Sequence, residues 1–143
     1  MDPRVATVDR IQLAAHLVIR LFTAFVLIYG TQDNVFSHER MLEFRDFCAR
    51  YGFPYPSFSA YLSSYSQFIA GCLIAVGFLT RVAAAVMVIN FVVALYMVHW
   101  NLPFSANIAP MAMLANSAYL ALVGAPWVSV DAWWQRRTNT RTP

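Results

Sequence analysis

Four apolar stretches, residues 11–29, 59–79, 82–98 and 108–124, dominate the chain. Each approaches the roughly 20 residues that a helix rising 1.5 Å per residue needs to cross a bilayer core. Backbone N–H and C=O groups find no water in lipid, so such segments pair them internally, and unbroken apolar runs of this length do so as helices. The expected fold is therefore all-α: a four-transmembrane-helix bundle with a short amphipathic helix in the first external loop. Composition points the same way, with 59% hydrophobic and 12% charged residues and a mean hydropathy of +0.52, far from the profile of soluble domains. The expected organisation is a cytoplasmic segment 1–10, one membrane domain 11–134 with its external loop at 30–58, and a disordered cytoplasmic tail 135–143.

The first span contains Arg20 and lacks a small-residue exit, so it does not read as a cleaved signal sequence. The net charge of +3 comes from ten arginines and no lysine. Arg4, Arg10, Arg81, Arg136, Arg137 and Arg141 fall on one side of the spans, and Arg40, Arg45 and Arg50 on the other. By the positive-inside rule both termini are cytoplasmic, in a bacterial-type inner membrane. No basic run interleaved with aromatics occurs, so nucleic acid is not an expected partner. Trp100, Trp127, Trp133 and Trp134 suit the membrane-water interface as anchors.

In the first loop, Ser37 can cap a helix with Glu39 in its first turn. Met41, Phe44, Cys48 and Tyr51 recur at helical spacing, and Gly52 can end the helix. Such an element lies flat on the membrane or closes over the bundle mouth. Pro103 breaks the link between the third and fourth spans, and Pro110 is expected in the first turns of the fourth, where a missing N–H is tolerated. Cys48 and Cys72 fall in different environments and do not form a disulfide framework. With no CxxC, HExxH, GxGxxG or GxSxG pattern, the common soluble-enzyme chemistries have no anchor, and no metal site is expected.

Each span carries one strongly polar residue near its centre: Arg20, Gln67, Asn90 and Asn116. A guanidinium at mid-bilayer costs about 2.5–3.5 kcal/mol on insertion scales, so it is expected to face partners inside the bundle. On the first helix Gln12, His16, Arg20 and Thr23 share one face. If the four faces converge, Arg20 donates to the amide oxygens of Gln67, Asn90 and Asn116. That cluster is either a hydrogen-bonded device that holds the bundle in register or a ligand site. Arg20, His16, Gln67, Asn90 and Asn116 are thus the ligand- or quinone-binding candidates, and no catalytic residue is expected. His16 and His99 lie near opposite ends and do not form one haem or metal site.

Arg20 in the first span, YGTQDNVF, the loop ending in FPYPSF, SQFIAGCLIAVGFLTR and LALVGAPWVSVDAW together resemble the DoxX family of small four-helix membrane proteins. The likeness covers about residues 15–134 and is most specific at Gly71, Gly77, Thr80 and Arg81. It implies an association with membrane oxidoreductases, thiosulfate:quinone oxidoreductase among them. This chain has Gln67 where the family commonly has a glutamate and Asp33 where a basic residue is common. It also lacks the acidic residue often found near Ile108–Pro110, which argues against an acid-dependent proton or ion mechanism.

The resulting expectation is an accessory or anchoring subunit of a larger oxidoreductase or respiratory-type complex, without catalytic activity of its own. Membrane lipids and other membrane subunits would be its partners. No intrinsic cofactor is expected, only a quinone or lipid held in or beside the bundle. The alternatives are an independent small-molecule carrier or quinone-handling protein with a polar intramembrane site, and a purely structural subunit.

Overall fold

The computed structural model describes residues 3–125 and 129–130, with side chains from residue 9 onward. Among these residues every regular element is helical: α1 (Pro3–Phe36), α2 (His38–Arg50), α3 (Pro56–Val76), α4 (Thr80–Ala94), a π-helical extension of α4 (Leu95–His99) and α5 (Phe104–Val123). Four helices are long and apolar enough to cross a membrane: Asp9–Phe36, Pro56–Val76, Thr80–His99 and Phe104–Val123. The protein is a multi-pass membrane helix bundle.

α1 is 34 residues long, about 51 Å at 1.5 Å per residue. It continues past Tyr29 through Thr31–Phe36, so the segment between the first two membrane-crossing helices runs over 37–55, within the 30–58 expected. Thr31 Oγ1 donates to Leu27 O at 2.6 Å within this extension, which lets a polar side chain complete the helix without an external partner. One residue, Ser37, separates α1 from α2. It has extended backbone angles, and its hydroxyl accepts from Arg40 N–H at 3.4 Å.

α2 ends where Gly52 takes φ +72°. Gly52 N–H donates to Ala49 O and Phe53 N–H to Cys48 O, both at 3.1 Å, the double bond of a Schellman motif. α2 buries Met41 and Cys48 against Ala60 of α3, with Phe44, Phe47 and Phe53 around them. Its other face carries exposed ion pairs, Arg40–Glu43 at 2.9 Å and Arg45–Asp46 at 2.7 Å. The hydrogen bond from Arg40 to Glu43 raises the guanidinium pKa further above its ordinary value.

α1 packs chiefly on α3 and α4 on α5, with α3 against α4 between them. Antiparallel neighbours give the bundle two ends. One holds α2, the π segment and the α4–α5 link; the other holds the tight α3–α4 turn and is called the turn end below. The core is built from Ala24, Leu27, Ile74, Ala84, Met87 and Leu120. Its small residues let the helices approach closely, as helices do where lipid supplies no hydrophobic drive. Gly71 marks a close approach of α3 to α1: a Cβ there would stand 2.8 Å from Ile28 Cγ1 and 3.2 Å from Ala24 O.

At the turn end α3 finishes in a second Schellman motif. Gly77, at φ +71°, donates to Ile74 O, and Phe78 N–H donates to Leu73 O at 2.9 Å. α5 begins at Phe104, earlier than the apolar stretch suggested, so Pro110 falls inside the helix in its second turn, past the first four residues whose N–H groups have no partner within the helix. Hydropathy marks where lipid-facing residues begin, whereas Pro103 marks where the helix does, and the second signal sets the boundary. Trp127, Trp133, Trp134 and the tail 135–143 lie outside the described residues; Trp100 is exposed beside Tyr96.

Candidate functional site

The polar residues of the four spans separate into two groups. His16, Arg20 and Thr23 of α1 are all buried, but Arg20 is directed to the turn end. Its Nη1 lies 3.1 Å from where a Cβ on Gly77 would stand, beside Ser129. The guanidinium is therefore at the C-terminus of α3, where the carbonyl ends of the helix carry partial negative charge. One turn nearer the α1 N-terminus, His16 Nδ1 meets the Tyr119 hydroxyl at 3.2 Å. Thr23 Oγ1 donates back to Ile19 O at 2.7 Å. Arg81 does for α5 what Arg20 does for α3: its Nη2 donates to Val123 O at 3.5 Å, and its side chain covers Gly124.

The second group lies toward the α2 end. Gln67 Nε2 donates to Ser63 Oγ at 3.0 Å, and Ser63 Oγ donates to Asn90 Oδ1 at 3.0 Å. This relay joins α3 to α4. Asn34 Nδ2 reaches Ser64 Oγ at 3.4 Å on the adjacent face of α3. Gln67 and Gly77 are ten residues apart on one helix, about 15 Å along its axis, so Arg20 does not share a site with Gln67 and Asn90. The expected convergence of four mid-depth residues is thus corrected to a cation at a helix end and an amide pair elsewhere. Asn116 is half-buried on α5 and joins neither group, and Gln12 is exposed.

Ser63, Gln67 and Asn90 line a cavity of about 590 Å³, within the 300–1,000 Å³ usual for small-ligand pockets. α2 and the turn after it contribute Phe44, Phe47, Cys48 and Phe53; α4 contributes Val86, Ile89, Phe91 and Val93; the π segment adds Met97 and His99, and α5 adds Pro110. Among the described residues, no Asp, Glu, Lys or Arg lines it. An apolar body is accepted by most of this wall, while polar side chains interrupt it at His99 and at the Ser63–Gln67–Asn90 patch: with Gln67 and Asn90 engaged through Ser63, Asn90 Nδ2 and Gln67 Oε1 retain capacity. The lining discriminates against charge, because an ion in such a space would lose hydration without a counter-charge.

Sequence reasoning gave Gln67 and Asn90 but missed Ser63, whose i, i+4 spacing to Gln67 was the available signal. It also missed the His99–Asn107 pair, which depends on how the chain returns after Pro103. Cys48 is a buried part of the cavity wall, and burial raises its thiol pKa. Cys72 is exposed on α3. Among the described residues, no three His, Cys, Asp or Glu side chains are grouped as a metal ion would need.

A bundle of four membrane-crossing helices with a largely apolar cavity between them defines a small polytopic membrane protein. The chain matches DoxX over residues 15–100, and it belongs to the DoxX family. The matched region contains α2, α3, α4 with its π segment, and most of α1, and so includes the Ser63–Gln67–Asn90 relay. No curated protein and no solved structure matches the chain.

Proposed function

We propose that the protein is an accessory membrane subunit that holds an uncharged, largely apolar ligand of the quinone class for a larger oxidoreductase complex. The observation that carries this reading is the cavity of about 590 Å³, mostly apolar and without Asp, Glu, Lys or Arg among its described lining residues, with a hydrogen-bonding patch formed by Ser63, Gln67 and Asn90. A quinone ring needs that combination: apolar faces for its body and a donor for a carbonyl. The ligand site moves away from Arg20 and His16, which serve the turn end and keep α1 in register with α3 and α5. Arginines near the turn end support cytoplasmic termini.

Extraction in mild detergent tests the proposal. The wild type is expected to copurify with quinone and with other membrane subunits, whereas Asn90→Leu and Gln67→Leu retain about three- to tenfold less quinone, the worth of one neutral hydrogen bond. A folded wild-type protein that carries no quinone and takes none up would end the ligand-binding reading. A second reading, an independent carrier gated by α2, is favoured by the position of Phe44 and Phe47 in the cavity wall. It requires a ligand-loaded protein that purifies with no other subunit.

A further inference from the structure

At the α2 end of the cavity, His99 is held by a residue on the next helix. Asn107 Nδ2 donates to two backbone carbonyls, His99 O at 3.3 Å and Leu102 O at 3.4 Å. This fixes which end of the amide faces the imidazole: His99 Nδ1 lies 2.9 Å from Asn107 Oδ1. An amide oxygen cannot donate, so in this contact Nδ1 carries the proton. In the neutral ring Nε2 is then a bare acceptor. The residue stands at the end of the π segment Leu95–His99. A one-residue enlargement of the helical repeat displaces the following residue by about 100° around the axis relative to a regular α-helix. The irregular turn therefore helps decide which way His99 faces.

We propose that His99 is a ligand-binding residue and that the cavity selects apolar molecules with a free hydroxyl, which donates to His99 Nε2. Asn107 acts as the positioning residue by holding the acceptor tautomer. The cavity thus has two polar places: the amide patch at Asn90 and the imidazole nine residues further along α4, about 13 Å away along the helix axis. A carbonyl or an ether satisfies the amide donors but leaves Nε2 without a hydrogen to accept, and a hydroxyl satisfies Nε2. If the ligand is of the quinone class, the reduced, hydroxyl-bearing form is the one this end of the cavity recognises. The inference rests on the cavity being a ligand site, as proposed above, but makes a separate claim about which functional group is chosen.

The test uses the full chain labelled with ¹⁵N-histidine in lipid nanodiscs, with the His99 signals assigned against His16→Gln and His38→Gln. The free protein is expected to show His99 with a protonated Nδ1 and an unprotonated Nε2. Adding 1-naphthol should move the Nε2 resonance in the direction of an accepted hydrogen bond, and 1-methoxynaphthalene, of nearly the same shape, should not. Dodecanol separates an aromatic from a chain-like ligand: the same shift as with naphthol extends the class to lipid alcohols, and no shift restricts it to rings. In Asn107→Leu the tautomer preference should be lost and the naphthol response should fall severalfold, while the response of ¹⁵N-labelled Asn90 to either ring persists. A free-state His99 protonated at Nε2, or equal shifts with naphthol and its methyl ether, overturns this inference and leaves the ligand-binding reading standing. If neither ring compound perturbs Asn90 or His99, both are overturned.

Discussion

At the scale of single residues, the two arginines of the turn end show how a helix terminus takes part in holding a cation in a membrane protein. Each guanidinium sits at a helix C-terminus beside a glycine with positive φ, Arg20 at Gly77 and Arg81 at Gly124. Arg20→Met should therefore lower stability by about 1–2 kcal/mol, the upper range for a charge at a helix end, with partial recovery in Arg20→Lys. Because Arg20 and Asn90 belong to separate groups, combining Arg20→Met with Asn90→Leu should give additive losses within about 0.5 kcal/mol. Denaturant titration in detergent micelles measures both; strong non-additivity would restore a single polar network. Gly77→Ala adds a Cβ against Ser129 at a φ of +71° and should cost about 1–3 kcal/mol, visible as a lower melting temperature. The polar residues themselves were legible in the sequence, since arginine and amides stand out in apolar runs. Their grouping was not, because residue number along separate helices does not give relative depth. α1 runs well beyond the other spans toward its N-terminus, so the centre of its apolar stretch is not level with the centre of α3.

At the scale of elements, the α1–α3 contact and α2 respond to different substitutions. Gly71→Leu should force α1 from α3, since even a Cβ would come within 2.8 Å of Ile28; cross-linking between cysteines placed at positions 34 and 64 should drop sharply. In α2, Cys48 is buried and its thiol pKa is raised by desolvation. Maleimide labelling of a Cys72→Ala protein should be slow near neutral pH and still rising above pH 8.5, where an ordinary thiol has already half ionised. Rapid labelling at neutral pH would mean that α2 does not stay packed on Ala60. Helix boundaries were legible where a residue has a backbone reason to end or begin a helix, as Ser37, Gly52 and Pro103 do; the turn expected at Thr80 and Arg81 falls instead at 77–79, where Gly77 ends α3 and Thr80 opens α4. They were misread where hydropathy alone was the guide: α1 runs on through Thr31–Phe36, and α5 starts before Ile108. The π segment left no sequence signal, because Leu95–His99 is ordinary helix-forming composition with no Pro or Gly to mark an irregular turn.

Taken whole, the molecule is an up-and-down bundle whose two ends differ in chemistry, with ion-paired α2 at one and arginine-capped helix termini at the other. Single cysteines introduced at Arg45 and Arg81 should be modified by impermeant reagents from opposite faces of sealed vesicles, and a cysteine at Arg10 from the same face as Arg81. Labelling of positions 45 and 81 from one face would contradict the four crossings. The four-helix plan was legible because each span announces itself by length and hydropathy, whereas the cavity was not, being a property of how α2 and α4 leave space around Ser63 and Asn90. Part of its wall, Val86, Ile89 and Val93, is also exposed on the outer surface of α4, where that surface meets acyl chains. A molecule dissolved in the bilayer can therefore reach this wall without crossing water. Occupancy then follows mole fraction in the lipid, so diluting a fixed amount of ligand with added phospholipid empties the protein even at constant volume.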